Sequence, residues 1–95
     1  MPKSREGRII ADQLIRSGTS VGSNYRAACR ARSRKEFYAK MCIVVEEADE
    51  VLFWLQVING SKIKEGKKLT ILLKEAEEIL SIVATARKTA GSNLE

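Results

Sequence analysis

The sequence contains no histidine, and this absence removes most catalytic and metal-binding arrangements. Without histidine there is no Ser-His-Asp triad, no Cys-His pair and no histidine-containing zinc or di-iron site. Cys29 and Cys42 are too few for a disulfide framework or a four-thiolate metal site, and we expect two buried thiols in preference to a redox or metal role. We therefore predict no catalytic residues, no metal ligands and no cofactor, and expect that the chain is not an enzyme.

Turn-forming residues and long apolar runs are also scarce. One proline and six glycines in 95 residues are too few for a many-stranded sandwich or barrel, so we predict no β-strands. No apolar run approaches the roughly 20 residues that a membrane span needs, and the N-terminus lacks the apolar stretch of a signal peptide. The expectation is a soluble, cytoplasmic, all-α protein without a membrane partner, with residues 1–95 in a single domain.

Positive charge is concentrated in the first half of the chain. Residues 1–41 contain ten basic and three acidic residues, residues 42–95 contain seven basic and nine acidic residues, and the whole chain has a net charge of +5. An arginine-rich stretch favours forked contacts with phosphate oxygens, and the alternative is a solvated helix face. The candidate nucleic-acid-binding residues are Arg16, Arg26, Arg30, Arg32, Arg34 and Lys35.

Apolar residues recur at alternating spacings of three and four in three segments. This periodicity predicts three long helices over about residues 6–31, 34–59 and 66–90. Short connections make successive helices antiparallel, so the predicted fold is an antiparallel up-and-down helical bundle. Three wide apolar stripes shared by only three helices leave surface uncovered, which favours self-association. Leu94-Glu95 is typical of a residual cloning site, and we assign it no role.

The middle of the first helix, residues 17–24, consists mainly of small and hydroxyl-bearing residues, which are poor helix formers. Either the helix breaks there, or it is continuous, with Gly18 and Gly22 allowing a neighbouring helix to approach closely while hydroxyls bond back to the backbone. We favour the continuous helix. A phosphate-binding P-loop does not fit, because Gly22 is followed by Ser23 and Asn24 and no strand precedes it.

The second helix has the clearest start signal. Ser33 and Glu36 form a predicted capping box, in which each side chain bonds the other residue's backbone N–H. Gly60 is predicted to end this helix in the left-handed conformation. The carboxylates within residues 46–50 indicate a solvated face, or one paired with arginines of a neighbouring helix, in preference to a metal site. Trp54 lies off the main stripe and is expected to pack on another helix or another subunit.

The third helix has a broad apolar stripe and two isoleucines outside it. Its predicted core positions are Leu69, Leu72, Leu73, Ala76, Ile79, Leu80, Val83, Ala86 and Ala90. Ile71 and Ile82 share a side with Glu75 and Glu78, and exposed isoleucines on such a side indicate a second packing surface.

A set of spaced motifs is similar to the pattern of a known family. They are Gln13-Leu14-Ile15-Arg16-Ser17, the small residues up to Asn24, Ser33-Arg34-Lys35-Glu36-Phe37, Glu50 and Trp54-Leu55. Over about residues 9–89 the chain resembles the bacterial four-helix-bundle proteins related to the protein encoded in intervening sequences of 23S ribosomal RNA genes. Two departures from the pattern stand out. The family usually has a helix before the segment at which this chain starts, and the glutamate common three residues after Asn24 is Ala27 here.

The resemblance implies a four-helix bundle that assembles into a ring, commonly a homopentamer, with no known catalytic residues and with nucleic acid as its ligand. A related group, the accessory proteins of diversity-generating retroelements, binds a reverse transcriptase and its RNA. For this chain we expect three helices of the four, with Pro2-Lys3-Ser4 as the loop that follows the missing first helix.

Two classes of function remain. In the first, a homo-oligomer binds RNA or another nucleic acid, mainly through phosphates, since the sequence has no recognition-helix or aromatic-stacking motif. In the second, the chain is a protein-interaction scaffold or an accessory subunit, and its arginines meet an acidic partner or Glu46 to Glu50 of a neighbouring subunit. An enzymatic role would need a cofactor that supplies all of the chemistry, and nothing in the sequence indicates one.

Overall fold

The computed structural model describes residues 4–61 and 66–94, which form three α-helices and no strand. In chain order the helices are α1 (Arg5–Cys29), α2 (Arg34–Ser61) and α3 (Lys67–Ser92). The all-α prediction is confirmed. Each helix begins and ends within two residues of the positions predicted from the sequence. Residues 1–3 and 62–65 and Glu95 lie outside the described residues, and with them most of the predicted N-terminal loop and of the link before α3.

Side-chain caps explain where α1 and α2 begin. The Gly7 N–H donates to Ser4 Oγ over 3.0 Å, and the Glu36 N–H donates to Ser33 Oγ over 3.0 Å. The second bond is the first half of the predicted capping box. Its other half is shifted by one residue, because Glu36 Oε2 accepts from the Arg32 N–H over 3.4 Å and not from the N–H of Ser33.

α1 runs unbroken through its small-residue segment, as predicted. Ser23 Oγ donates back to the Ser20 carbonyl over 3.4 Å, so one hydroxyl meets the backbone as expected. The prediction for the two glycines is wrong within the described residues. A Cβ placed on Gly18 or Gly22 would have no atom within 4 Å, so neither glycine is there to admit a neighbouring helix of this chain.

The expected glycine cap of α2 also needs correction. α2 continues through Ser61, and Gly60 is an ordinary helical residue. The glycine with a positive φ, 127°, is Gly66 at the N-cap of α3. Non-glycine residues rarely adopt this conformation, so a side chain at position 66 would strain the start of α3.

α2 is the central helix of the fold. It packs against both α1 and α3, whereas among the described residues no Cα atom of α1 lies within 8 Å of one in α3. Two core clusters join the helices at opposite ends. The first contains Ala28, Met41, Val44, Val45, Ala48 and Val83, and the second contains Ile10, Leu55, Ile58, Leu69 and Ala76. Because the end of α1 meets the start of α2, and the end of α2 meets the start of α3, successive helices are antiparallel.

The predicted core stripe of α3 is only partly buried. Leu69, Ala76 and Val83 are buried, but Leu72 and Ile79 are each 49% exposed. Ile79 borders an open apolar groove between α1 and α3, and Leu72 lies seven residues away on the same flank. This flank remains exposed because α3 packs on α2 alone.

Candidate nucleic-acid interface

The end of the bundle where α1 finishes, α2 begins and α3 finishes is strongly basic. We call the described residues 26–40 and 84–94 the basic end. Its cations are Arg26, Arg30, Arg32, Arg34, Lys35, Lys40, Arg87 and Lys88, and its single acidic residue is Glu36. The basic end therefore has a net charge of +7, which exceeds the net charge of the whole chain.

Packing between the helices brings this charge together. Arg32 and Arg34 line a hollow whose other wall is the last turns of α3, including Thr89 and Asn93. Tyr38 of α2 lines a second hollow with Arg87 of α3. The underlying core is the cluster around Met41, so the charged residues stand on a packed base.

The cations of the basic end are available to a ligand. Within the described residues, no carboxylate lies within 4 Å of the side-chain nitrogens of any of these eight residues. Like charges held close together repel each other, and a bound polyanion relieves that repulsion. The arrangement suits contact with the phosphates of a nucleic acid.

Charge is balanced or acidic over the rest of the described chain. The middle of the bundle has Arg16 against four carboxylates within residues 46–50. The far end has five cations and five carboxylates: Arg5, Arg8, Lys67, Lys68 and Lys74, with Glu6, Asp12, Glu75, Glu77 and Glu78. Within the described residues the excess positive charge thus lies at one end of the bundle, which is 47 Å long.

Arg16 differs from the other candidate residues, because it lies in the middle of α1 and is already paired. One guanidinium nitrogen forms a short ion pair with Glu50, and the other lies 3.4 Å from Glu47 Oε2. Arg16 Nε also donates to Gln13 Oε1 over 3.3 Å. The alternative in which the α2 carboxylates pair with an arginine of a neighbouring helix is therefore confirmed, within this chain, for Glu47 and Glu50.

Glu50 is the centre of this α1–α2 network. Its carboxylate accepts hydrogen bonds from Arg16 and, over 3.3 Å, from Trp54 Nε1. It also interacts with Ser17 through a side-chain hydrogen bond. The Arg16 guanidinium, followed by the Trp54 indole, holds the pKa of Glu50 below its usual value, because both donors stabilise the carboxylate. Ser17 is fully buried. Trp54 packs against the second core cluster, to which all three helices contribute, and its ring meets that of Phe53, on the same helix, edge-on at 5.0 Å.

The two cysteines are less buried than predicted. Cys29 is exposed and Cys42 is half-buried. Each is hydrogen-bonded to the tyrosine one helical turn before it, which raises the pKa of Tyr25 and of Tyr38. Ala28, in the same turn of α1, is buried against α2, and Cys29 is exposed because it lies on a different side of the helix. Among the described residues no group of three cysteines or carboxylates has a metal-binding arrangement.

The sequence reasoning missed three cations of the basic end: Lys40, Arg87 and Lys88. Lys40 belongs to the arginine-rich stretch of residues 26–40, so the density of basic residues in the sequence could have identified it. Arg87 and Lys88 carried no local signal, because their neighbours in sequence are neither basic nor part of a motif. The close approach of Gly91 to Tyr38 places them here, since a Cβ on Gly91 would lie 2.9 Å from Tyr38 Cε1.

The fold and this interface define a class: a small all-α bundle with one basic end. None of the described helices has the length and apolar character needed to cross a membrane. The family model for the 23S rRNA-intervening sequence protein matches residues 1–85, and the chain belongs to that family.

A solved structure from Bacteroides thetaiotaomicron VPI-5482 is similar to this chain. It is described as a protein with unknown function from the S23 ribosomal protein family. The two are 30% identical, with a TM-score of 0.79, over 84% of this chain and 74% of that one. No curated protein matches the chain.

Proposed function

We propose that this chain is a non-enzymatic helical-bundle protein that binds RNA or another nucleic acid through its basic end. The observation that carries the proposal is the group of eight cations, supplied by all three helices and the α1–α2 connection, which have no carboxylate partner within the described residues. Contacts would be made mainly to phosphates, which position a nucleic acid without reading its sequence. Membership of a family named after a ribosomal RNA element supports the same ligand class.

The residues that we expect to bind are Arg26, Arg30, Arg32, Arg34 and Lys35, joined by Lys40, Arg87 and Lys88. Arg16 now has a structural role in place of the binding role suggested by the sequence, since Glu47 and Glu50 neutralise it. Replacing Arg16 should therefore weaken nucleic-acid binding only through the packing of α1 on α2.

A salt series on a structured RNA fragment tests the proposal. For wild type, log affinity should fall steeply with log salt. The triple variant Arg26→Gln, Arg30→Gln, Arg34→Gln should make this slope shallower by up to about 2.7, at about 0.9 for each duplex phosphate that is no longer neutralised.

The matched control removes the same charge from the opposite end of the bundle. It is the triple variant Arg5→Gln, Lys67→Gln, Lys68→Gln, in which all three residues are exposed. Its slope should stay close to that of wild type. Equal slopes for the two triple variants would show that only net charge matters and would contradict binding at the basic end.

Self-association is the second part of the proposal. A 95-residue chain buries a modest fraction of its surface, and the exposed flank of α3 adds large apolar residues to the remainder. These are Ile71, Leu72, Ile79 and Ile82, which are 49 to 69% exposed. Such a strip supports association between copies of the chain, and by resemblance the assembly is a homopentamer.

The mass of the particle, measured by light scattering over a range of concentrations, tests self-association. Wild type should exceed the mass of one chain, and Ile79→Glu with Ile82→Glu should reduce it. Ile15→Glu on α1, where the side chain is 66% exposed, is the control. A wild-type mass of one chain at every concentration would refute this part.

The same strip on α3 favours a second candidate function, a scaffold or accessory subunit for another protein. In that case the basic end would contact an acidic protein surface. No RNA binding even at low salt, together with nuclease-resistant binding to a defined protein partner, would favour this candidate over nucleic-acid binding. Of the carboxylates proposed to pair with a neighbouring subunit, Glu46 and Asp49 form no ion pair with any of the described residues.

A further inference from the structure

An open hollow on the α1–α2 side of the basic end is lined by four cations. It has a volume of about 550 Å³. α1 contributes Ser23, Arg26 and Ala27, the connection contributes Arg30 and Arg32, and α2 contributes Glu36 and Lys40. We call it the anion hollow. The lining residues Ser23 and Ala27 have small side chains, which leave room in the hollow.

The geometry of the two helices forces these charges to share one space. Arg30 is the C-cap residue of α1 and follows Arg26 by four residues, about one helical turn, and Glu36 and Lys40 have the same spacing on α2. Lys40 is half-buried against the bundle, so its charge is less free to move away than that of a lysine on an open surface. Glu36 is the only carboxylate of the hollow and forms no ion pair with the four cations.

We propose that the anion hollow is a discrete binding site for two neighbouring phosphate groups. Four cations facing one carboxylate leave an excess of three positive charges, close to the charge of a diphosphate. Arginine and lysine together provide forked and single-point donors to phosphate oxygens. A nucleic-acid backbone and a free diphosphate offer the same chemistry, and for the nucleic acid the inference rests on the proposed function.

Inorganic pyrophosphate, titrated calorimetrically at low ionic strength, is the first probe. Wild type should bind one pyrophosphate per chain. The double variant Arg30→Gln, Lys40→Gln should weaken this binding by about tenfold, because it removes two charged donors. The matched control is Lys67→Gln, Lys68→Gln, which removes the same charge from exposed residues at the opposite end of the bundle that do not line the hollow. It should weaken binding by less than about threefold.

A gain of affinity provides a second arm that misfolding cannot imitate. Glu36→Gln removes the negative charge from the hollow and keeps an oxygen that accepts from the Arg32 N–H. Pyrophosphate should bind about threefold more tightly to this variant. Glu46→Gln makes the same change in net charge on the exposed back of α2 and should have a smaller effect. If each variant changed pyrophosphate affinity as much as its control did, the proposal would be overturned. Pyrophosphate would then respond to the overall electrostatic field of the protein and not to a discrete site.

Structured RNA, titrated with the same variants, separates the source of the phosphates. If Arg30→Gln, Lys40→Gln weakens RNA and pyrophosphate alike, the hollow binds the nucleic-acid backbone. If the hollow variants change pyrophosphate binding more than their controls do, but wild type binds no RNA, the proposed function fails. The hollow then stands as a site for a small phosphorylated ligand. If RNA is bound but no variant differs from its control with either probe, the function stands and the hollow is refuted.

Discussion

Replacement of Met41 by alanine tests the packed base on which the basic end stands. Met41 is 1% exposed and belongs to the core cluster that joins the end of α1, the start of α2 and the end of α3. Alanine removes three heavy atoms from this site, worth about 2.4 kcal/mol at roughly 0.8 kcal/mol for each methylene-sized group. A residual cavity brings the expected loss in the free energy of unfolding to about 3 kcal/mol, within the usual range for methionine in a core.

Urea unfolding followed by circular dichroism measures this loss. With a slope of about 1.3 kcal/mol per molar urea for a chain of this size, the midpoint should fall by about 2 M. Ile15→Ala is the control, because Ile15 is 66% exposed and its truncation should cost less than about 0.5 kcal/mol. A cost for Met41→Ala no larger than that of the control would refute the placement of the core between the three helices.

Three further predictions concern a cap, a carboxylate and the anion hollow. Ser33→Ala should cost about 1 kcal/mol in the free energy of unfolding, since the Glu36 N–H loses its acceptor; an unchanged urea midpoint would contradict the cap. Because Arg16 lowers the pKa of Glu50 in the fold, the stability that this pair adds over Glu50→Gln should be present above the ordinary pKa of glutamate. It should be lost as the pH falls through the lower folded value, and a difference in urea midpoint that stays constant with pH would be inconsistent with the pairing. Ala27→Glu places a carboxylate in the lining of the hollow and should weaken pyrophosphate binding. The control Ala39→Glu, at an exposed position of α2 outside the hollow, should weaken it less.

The fold was predictable where one helix is covered on both sides. In α2 the apolar residues that recur at spacings of three and four are buried, because α1 and α3 both pack on this helix. These buried residues include Met41, Val44, Ala48, Leu55 and Ile58. The same periodicity failed for Leu72 and Ile79 in α3. Spacing identifies an apolar face of a helix but contains no information about which neighbour covers that face.

The candidate site was predictable only in its local part. Arg26 and Arg30 stand out as members of a dense basic stretch. Arg87 and Lys88 lie more than 45 residues further along the chain. They join the site only because successive helices are antiparallel, which places the end of α3 beside the start of α2. Arg16 is the opposite case, because a basic residue that the sequence places among the binding candidates is paired in the fold with carboxylates more than 30 residues away.

Most of the motif that carries the family resemblance explains the packing of α1 on α2, and only its segment Ser33-Arg34-Lys35-Glu36-Phe37 belongs to the basic end. Gln13, Arg16, Ser17, Glu50 and Trp54 all take part in one network between these helices. The cations that line the anion hollow lie outside that network. A chain that keeps the motif therefore keeps the helix pairing without keeping the charge that nucleic-acid binding requires. The proposed ligand binding therefore depends on other residues than the helix pairing, so variants of the network should change stability first and variants of the hollow should change affinity first.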